Sequence, residues 1–308
     1  MARVIVIGGA NVDIKGRAAE RFVAATSNPG EVMISVGGVA RNIAENLARL
    51  GIETSLVTVL GDDPNGGMIR EACASANVDL SHTLVGPAAT GTYLAILDSG
   101  GELVSAVSDT RNIEWLSVGH LELLTEPLLD ADFVVADCNI AAACLSWLCA
   151  FAARHAKRLL IEPVSVAKAR KLLDFTREAP VFAITPNRQQ LDALTGEPEE
   201  AAAIAKLHAL GFSNVILHCG EDGAAISTGV EITRSPAFAV ERIADVTGAG
   251  DAAVAGLVCG LLAGHSLAEA ARLGQAAASV KVMSRQSAAT ELDRNTVFRL
   301  AGFQEDLH

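Results

Sequence analysis

A run of small residues that ends in an acid stands directly before a long apolar stretch. The run is Asp245-Val246-Thr247-Gly248-Ala249-Gly250-Asp251, and residues 252–262 are apolar. Because the apolar stretch is typical of a buried helix, the backbone of Gly248, Ala249 and Gly250 would present the free N–H groups of a helix N-terminus to an anion such as a phosphoryl group. An acid beside an anion is repelled unless it has a chemical task, such as taking the proton of an attacking hydroxyl. Asp251 is therefore a candidate general base, and an ordinary helix N-cap is the competing interpretation.

Two further polar groups lie near the amino terminus. Gly37 and Gly38 precede a helical stretch, and Asn42 follows about one turn later. Glycines at that point let backbone N–H groups approach a ligand, although a plain tight turn explains the pair equally well. Asn11 and Asp13 come directly after the first predicted strand, where α/β sheets bind ligands. Asp13 could accept hydrogen bonds from a vicinal diol, but residues of this type also form ordinary turns.

Polar residues recur after four other predicted strands. Since the carboxyl ends of parallel strands meet at one edge of a sheet, this recurrence predicts a single ligand crevice. The segments are Asp137-Cys138-Asn139, Glu162-Pro163-Val164-Ser165, Pro186-Asn187-Arg188 and His218-Cys219-Gly220.

The elements that must position these groups alternate along the chain. Short apolar runs at 4–7, 55–59, 133–136, 159–161, 182–184 and 215–217 are typical of buried parallel strands. Helical spacing at 41–50, 141–155 and 188–194 lies between them. Strand and helix in regular order predict an α/β fold with a doubly wound, mostly parallel sheet. We expect residues 1–308 to form a single domain.

Two segments depart from this alternation. Residues 14–35 are polar and then alternate over 32–36, and residues 91–108 alternate on both sides of the turn Asp98-Ser99-Gly100-Gly101. Period-two patterns around a glycine-rich turn predict a β-hairpin in the second segment. Hairpins that project near a ligand crevice would form a small β lid; a surface excursion without a role is the alternative.

The composition excludes several classes of protein. The chain has 24 Lys+Arg against 36 Asp+Glu, a net charge of −12, and is 50% hydrophobic. Disorder needs a less apolar chain, and a nucleic-acid binder needs a basic surface. The longest apolar stretches are shorter than the roughly 20 residues that span a bilayer. The six cysteines form no C-x-x-C pair, which favours a reduced, cytoplasmic protein with no nucleic-acid or membrane partner.

The chemistry-bearing residues resemble the signatures of the ribokinase-like, or phosphofructokinase-B, family of carbohydrate and nucleoside kinases. Two signatures match in the family's order, Gly37-Gly38-x-x-x-Asn42 and Asp245-x-Thr247-Gly248-Ala249-Gly250-Asp251. The resemblance extends over essentially the whole chain. The phrases at 27–30, 37–44, 136–140 and 162–165 are most similar to those of the members that phosphorylate the C-nucleoside pseudouridine.

The resemblance implies transfer of the γ-phosphate of ATP to the 5′-hydroxyl of a nucleoside. It implies that Asp251 is the base and that Gly248, Ala249 and Gly250 form the anion hole. The resemblance implies that the substrate is bound by Asn11, Asp13, Gly37, Gly38, Asn42 and Asn139, and that Thr92 and Asp109 of the lid are candidates for binding the base. ATP or its Mg²⁺ would be bound by Asn187, His218 and Gly220. A monovalent cation, usually K⁺, would be bound by Asp245 and Thr247.

The resemblance also implies a ribokinase-like fold with a β lid at about 14–35 and 91–109, through which relatives often form a homodimer. One residue departs from the family pattern, since Gln190 stands where the family has the Glu of Asn-x-x-Glu. Glutamine keeps a carbonyl acceptor but loses the charge that would order water around Mg²⁺. We expect activity to survive with a higher magnesium requirement.

Two other functions compete with nucleoside phosphorylation. Asp13 and Asn42 would recognise hydroxyls rather than a base, so a furanose sugar such as ribose is an alternative acceptor. Gln190 also motivates a non-catalytic nucleoside-binding regulator. The intact run from Gly248 to Asp251 argues against the regulator, because a protein that only binds has no use for a base.

Overall fold

Strands and helices alternate through most of the chain, and the computed structural model describes residues 2–174 and 180–303. The strands are β1 (Arg3–Ile7), β2 (Asn11–Ala18), β3 (Gly30–Gly37), β4 (Glu53–Val57), β5 (Val59–Leu60), β6 (Leu84–Val85), β7 (Gly91–Leu97), β8 (Leu103–Asp109), β9 (Phe133–Asp137), β10 (Leu159–Glu162), β11 (Val181–Ile184), β12 (Phe212–His218), β13 (Ala224–Ser227) and β14 (Ile232–Ser235). The α-helices are α1 (Val39–Arg49), α2 (Pro64–Ser75), α3 (Val118–Glu122), α4 (Thr125–Asp130), α5 (Ala142–His155), α6 (Val166–Ala169), α7 (Arg188–Thr195), α8 (Glu200–Ala209), α9 (Ala249–Leu262), α10 (Leu267–Val282) and α11 (Arg294–Ala301).

An eight-stranded sheet carries the site. Its order is β14-β13-β12-β11-β10-β9-β1-β4, and the six strands from β12 to β4 are parallel. Strands β13 and β14 add an antiparallel edge. The predicted α/β fold with a mostly parallel sheet is confirmed.

Both faces of this sheet are buried. In β1, Val4 and Val6 pack into a cluster with α1, α9 and α10, whereas Ile5 and Ile7 pack into a second cluster with α5. Alternate side chains of a strand point to opposite faces, so a strand between two layers of helices must be apolar throughout. None of the helices among residues 2–174 and 180–303 is long and apolar enough to cross a membrane.

One predicted strand is interrupted. The run at 55–59 was expected to be continuous, but β4 ends at Val57 and β5 begins at Val59. After Thr58 the chain leaves the large sheet, and Val59 pairs with Leu84 of β6 instead. An apolar run alone does not indicate which partner strand its backbone will follow.

The two segments outside the α/β alternation form a second sheet of order β3-β2-β7-β8, which we call the lid sheet. The hairpin predicted around residues 98–101 is present as β7 and β8. The first hairpin is longer than 14–35, because pairing continues to Asn11 opposite Gly37.

The lid sheet has one polar and one apolar face. Ser35, Asp13, Tyr93 and Ser108 lie opposite one another across its four strands, and the next row is Ile34, Ile14, Leu94 and Val107. Residues in register share a face, so adjacent rows face opposite sides.

Candidate active site

A cavity of about 500 Å³ lies at the carboxyl ends of the central parallel strands, beside the polar face of the lid sheet. Fifteen residues singled out from the sequence line it: Asn11, Asp13, Gly38, Asn42, Asn139, Glu162, Val164, Asn187, Gln190, His218, Gly220, Thr247, Gly248, Gly250 and Asp251. Their convergence from distant parts of the chain follows from the parallel sheet, which brings its strand ends to one edge.

Asp251 is a buried acid in the first turn of α9. One of its carboxylate oxygens accepts a hydrogen bond from Nδ2 of Asn42 at 2.7 Å. The pKa of Asp251 is raised to about 7: burial is the main cause and the nearby charge of Asp137 adds to it, while the Asn42 bond and the charge of Arg41 oppose them. A carboxylate with that pKa is partly ionised at neutral pH and can accept a proton there.

A buried ion-pair network fixes Asn42. Arg41 is 1% exposed, and its guanidinium donates to Oδ1 of Asn42 and to the carboxylate of Glu45. The other oxygen of Glu45 accepts from Arg49 at 2.7 Å. Since the Asn42 oxygen is held by Arg41, its amide nitrogen is directed at Asp251. No role was predicted for Arg41, because a buried arginine cannot be distinguished from a solvated one by its position in a helical pattern.

The entry to α9 is shaped as an anion-binding turn. Gly248 has φ = +84°, and a Cβ there would lie 2.2 Å from the carbonyl oxygen of Ser287, so only glycine fits. The interpretation of Ala249 needs correction: its N–H donates to the carbonyl of Val246 at 3.2 Å, and Ala249 does not line the cavity. Gly248 and Gly250 do line it and remain the candidate anion donors.

The glycine pair before α1 has a steric cause. Gly38 has φ = +98°, and a Cβ there would lie 2.5 Å from Cα of Ala10. A Cβ on Gly37 would lie 2.6 Å from the carboxylate of Asp13, so Gly37 leaves room for that acid without itself lining the cavity. The positive end of α1 is occupied by a carboxylate of the chain, because the N–H of Ala40 donates to Asp137 at 3.0 Å.

Asp137 joins three segments of the site. Its carboxylate accepts from the backbone N–H of Gly9 and of Asn139 and from the Asn139 side chain, at 2.7–3.0 Å. Oδ1 of Asn139 accepts in turn from the ammonium of Lys168, which also lines the cavity. Lys168 was missed from the sequence because it lies six residues beyond the end of β10.

The lid contributes different residues from those expected. Thr92 accepts from the side chain of Asn65 at 3.1 Å, and the exposed Asp109 pairs with Arg111. Both lie on the face of the lid sheet that turns away from the cavity, whereas Tyr93 and Ser108, one position along each strand, line it. A strand's side chains alternate between faces, so a displacement by one residue reverses the assignment.

Asp13 stands on the polar face of the lid sheet. Oδ1 of Asp13 accepts from Nδ2 of Asn11 at 2.5 Å, and burial raises the pKa of this acid. The carboxylate packs over Gly37, and Asp13 lines the cavity, so a hydroxyl group bound in the cavity could reach its second oxygen.

A strained turn follows β10. Val164 has φ = +67°, which is rare for a β-branched residue. The carboxylate of Glu162 accepts the N–H of Val164 at 2.6 Å. Burial, together with the charges of Asp251 and Asp137, raises the pKa of Glu162 well above its ordinary value. Strain of this kind collects at functional sites, and Glu162, Val164 and Lys168 all line the cavity.

Two buried polar atoms at the far end of the cavity have no hydrogen-bond partner among the residues that the structure describes. They are Oγ1 of Thr185 and Nε2 of His218. Burial lowers the pKa of His218 to about 4, so its ring is neutral near pH 7 and can donate or accept one hydrogen bond. Unpaired buried polar atoms are costly, and a ligand in the cavity would satisfy them.

Gln190 is committed to a capping box. Its Oε1 accepts the N–H of Asn187 at 2.8 Å, while Oδ1 of Asn187 accepts the N–H of Gln190 at 2.9 Å. The bond uses one acceptor position of the Gln190 carbonyl and turns the amide nitrogen, a donor, away from the backbone. The weaker hold on magnesium-bound water expected for Gln190 stays a prediction.

The segment expected to bind K⁺ has a different partner. A side-chain oxygen of Asp245 accepts the N–H of Thr247 at 2.8 Å, and its other oxygen lies 3.7 Å from Nζ of Lys15. The backbone carbonyl of Asp245 accepts from Nζ of Lys281 at 2.7 Å. The carbonyl oxygen of Asp245, which would be a ligand of the expected monovalent cation, thus already accepts a hydrogen bond from the Lys281 ammonium.

Comparisons with known proteins cover nearly the full chain. Residues 1–294 match the model of the pfkB family carbohydrate kinase. Pseudouridine kinase from Escherichia coli K12 is 32% identical over 283 residues, 90% of this chain and 89% of that protein. The structure of a carbohydrate kinase from Agrobacterium tumefaciens has a TM-score of 0.83 at 30% identity, with 98% of both chains covered. Arabidopsis thaliana ribokinase complexed with ribose and ATP has a TM-score of 0.83 at 25% identity, with 99% of this chain and 100% of that one covered.

Proposed function

The chain belongs to the pfkB family of carbohydrate kinases and is an ATP-dependent kinase of a sugar or nucleoside, and we propose that its acceptor is the 5′-hydroxyl of pseudouridine. The observation that carries the proposal is the buried Asp251, held by Asn42 in the first turn of α9 and facing the same cavity as Asp13. The 32% identity to a pseudouridine kinase supports the choice of nucleoside.

The acceptor would lie between the lid sheet and the start of α1. We expect Asp13 to accept hydrogen bonds from the ribose hydroxyls, with Asn11 and Asn42 beside it. The backbone of Gly38, which lines the cavity, would approach the sugar. Asn139 would complete the polar wall.

Phosphoryl transfer would follow from this arrangement. The acceptor oxygen attacks the γ-phosphorus of ATP, the bond from that phosphorus to the bridging oxygen breaks, and its electron pair remains on ADP. Asp251 takes the hydroxyl proton, and the N–H groups of Gly248 and Gly250 bind the charge on the transferred group. Positioning and electrostatics supply most of the acceleration in such reactions.

ATP would occupy the end of the cavity with the unpaired polar atoms. Asn187, Gly220 and Nε2 of His218 line this end. Among the described residues that line the cavity, Lys168 is the only lysine or arginine. Lys168 lies in α6, which follows β10. Strand β10 lies in the sheet between β9 on the acceptor side and β11 on the donor side, so we expect Lys168 to contact the transferred phosphoryl group.

Magnesium fits the donor set of this cavity. Mg²⁺ is usually bound through one or two carboxylates together with phosphate oxygens and water, without a dedicated protein cage. Glu162 lines the cavity, and one backbone N–H is bonded to its carboxylate, so it would hold the ion or its water. Oδ1 of Asn187 already accepts the N–H of Gln190, and Asn187 would contact the nucleotide. The ion would neutralise charge on the nucleotide phosphates.

The lid would distinguish the acceptors. Tyr93, Ser108 and Thr110 line the cavity; an aromatic ring and two hydroxyls suit a base with polar edges better than a free pentose. Ribose remains the second candidate, since Asp13 and Asn42 recognise hydroxyls that both acceptors carry.

We also propose that the protein forms a homodimer through the lid sheet. Ile34, Leu94 and Val107, on the face turned away from the cavity, are 56%, 41% and 63% exposed. A row of apolar side chains on one face of an exposed sheet is typical of a surface that a partner covers.

The test is an assay of ADP release with ATP, Mg²⁺ and a panel of pseudouridine, uridine, other nucleosides and ribose. We expect the highest kcat/KM with pseudouridine. Preference for ribose or another nucleoside would contradict pseudouridine as the acceptor but would leave the kinase activity unaffected. ATP binding with no turnover on any acceptor would favour the non-catalytic regulator.

The substitution Asp251→Asn tests the catalytic role. It should lower kcat by about 10²–10⁴-fold, the usual contribution of a general base. Affinities for ATP and acceptor, measured by calorimetry, should change little, because the amide still bonds to Asn42. Unchanged turnover with an altered acceptor affinity would contradict the assignment.

A further inference from the structure

Lys281 is a fully buried lysine in the last turn of α10. It has 0% exposure, and its ammonium donates to the backbone carbonyl of Asp245 at 2.7 Å and lies 3.5 Å from that of Ser284. An ammonium is costly to bury unless it is well paired. The burial of this ammonium therefore indicates that the two segments whose carbonyls it contacts matter to the protein.

Those segments flank the anion-binding turn of α9. Asp245 begins the run that leads into the turn, and its side chain accepts the N–H of Thr247. On the other side, Gly248 packs against the carbonyl of Ser287 so closely that a Cβ would lie 2.2 Å away. Lys281 thus ties the segment before the turn to the segment that supports it.

A potassium ion does not fit beside this ammonium. Monovalent cations bind where several carbonyl oxygens replace their hydration water, and here the Asp245 carbonyl already accepts from Lys281. The carboxylate of Asp245 faces Lys15 at 3.7 Å. A further cation would meet two lysine charges and compete for an occupied oxygen.

We propose that Lys281 is a built-in cation that replaces a bound monovalent cation, so that the protein works fully without potassium. The proposal rests on the proposed function, in which the turn at the start of α9 that Lys281 holds binds the transferred phosphoryl group. Lys281 is a positioning residue: it does not line the cavity, and its ammonium holds the segment from Asp245 to Gly248. Its charge also lowers the pKa of Asp251. Its own proton stays in place during transfer.

The first measurement compares the wild-type protein in KCl, NaCl and tetramethylammonium chloride at equal ionic strength and equal Mg²⁺. We expect the same kcat, ATP affinity and melting temperature in all three salts. Strong activation by K⁺ that tetramethylammonium does not reproduce would overturn the proposal.

The second measurement removes the ammonium. Lys281→Ala should lose about 10²-fold in kcat in tetramethylammonium, the scale on which misplaced groups reduce rates, and K⁺ or NH₄⁺ should restore most of it. Lys281→Met fills the same space with an uncharged chain and should not be restored. Lys157→Ala is the matched control, because Lys157 also donates to two carbonyls, those of Leu129 and Ala131, but far along the chain from this turn.

The outcomes separate this inference from the proposed function. ATP affinity and melting temperature need no acceptor, so recovery of either by K⁺ in Lys281→Ala supports the built-in cation even if no acceptor on the panel is phosphorylated. If Lys281→Ala folds and neither K⁺ nor NH₄⁺ restores its activity, ATP affinity or melting temperature, the role of Lys281 is structural only and the proposal is wrong. If that variant folds in K⁺ but not in tetramethylammonium, the melting temperatures support the proposal.

Discussion

At the scale of single residues, the site is a set of buried acids whose charges are controlled by their neighbours. The pKa values of Asp251, Asp13 and Glu162 are all raised, mainly because burial removes water from their carboxylates. Asp137 shares their setting but accepts several N–H groups, which suits it to structure rather than to proton transfer. Of the acids, Asp251 combines a pKa near neutrality with a position at a helix N-terminus.

The raised pKa of Asp251 predicts a pH dependence. The base must be ionised, so kcat/KM should rise with pH and level off above about 7. For stability the sign is opposite: between the ordinary value of 3.8 and about 7 the folded state holds more protons than the unfolded state. The free energy of unfolding should therefore fall as pH rises through that window.

Rate profiles and urea titrations of wild type and Asp251→Asn check both effects. The variant should lose this contribution to the stability profile, which becomes flatter between those pH values. A wild-type rate that is constant from pH 5 to 8 would be incompatible with a base of this pKa.

Gln190 predicts a change in magnesium use. A glutamate there could cap Asn187 with one oxygen and present the second to magnesium-bound water, whereas glutamine presents an NH₂ group. Gln190→Glu should lower the Mg²⁺ concentration for half-maximal activity. Gln189→Glu, an exposed residue of the same helix, adds the same charge outside the cavity as a control. Identical titrations for all three proteins would remove the idea.

At the scale of elements, the pattern of apolar runs was sufficient to predict the parallel sheet and the helix after Asp251. Burial on both faces forces continuous apolar strands, and that signal is local. The interruption at Thr58 and the orientation of Thr92 were not predictable, because each depends on which strand the backbone pairs with. Lys168 and Lys281 act on groups distant in sequence, and no local spacing marks such contacts.

The turn into α1 gives an element-scale prediction. Gly38→Ala places a side chain at positive φ against Ala10, and should lower the free energy of unfolding by at least the strain of about 1–3 kcal/mol. Gly67→Ala is the matched control: Gly67 lies in α2 with no atom near its Cβ position, so alanine should stabilise by about 0.5–1 kcal/mol. Urea unfolding measures both. Equal effects would mean that the turn before α1 relaxes without cost.

At the scale of the whole molecule, one sheet order connects every part of the site. Acceptor groups follow β1 and β9, and donor groups follow β11 and β12. Between them, Glu162 ends β10 and Lys168 lies in α6, the next helix. The lid sheet begins at Asn11, directly after β1, so its polar face is attached to the acceptor side. Its opposite face carries the exposed apolar row of Ile34, Leu94 and Val107. The lid sheet would therefore form both a wall of the cavity and the proposed dimer interface.

That apolar face predicts the oligomeric state. Ile34→Asp combined with Val107→Asp puts two charges on the face that we expect a second copy to cover, and burying them there would be costly. Light scattering after gel filtration should give twice the chain mass of 31.9 kDa for wild type and the chain mass for the double variant. Leu123→Asp changes an 80% exposed leucine outside the lid sheet and should leave the dimer intact. A wild-type monomer would contradict the lid dimer, and a double variant that remains dimeric would place the interface on another surface.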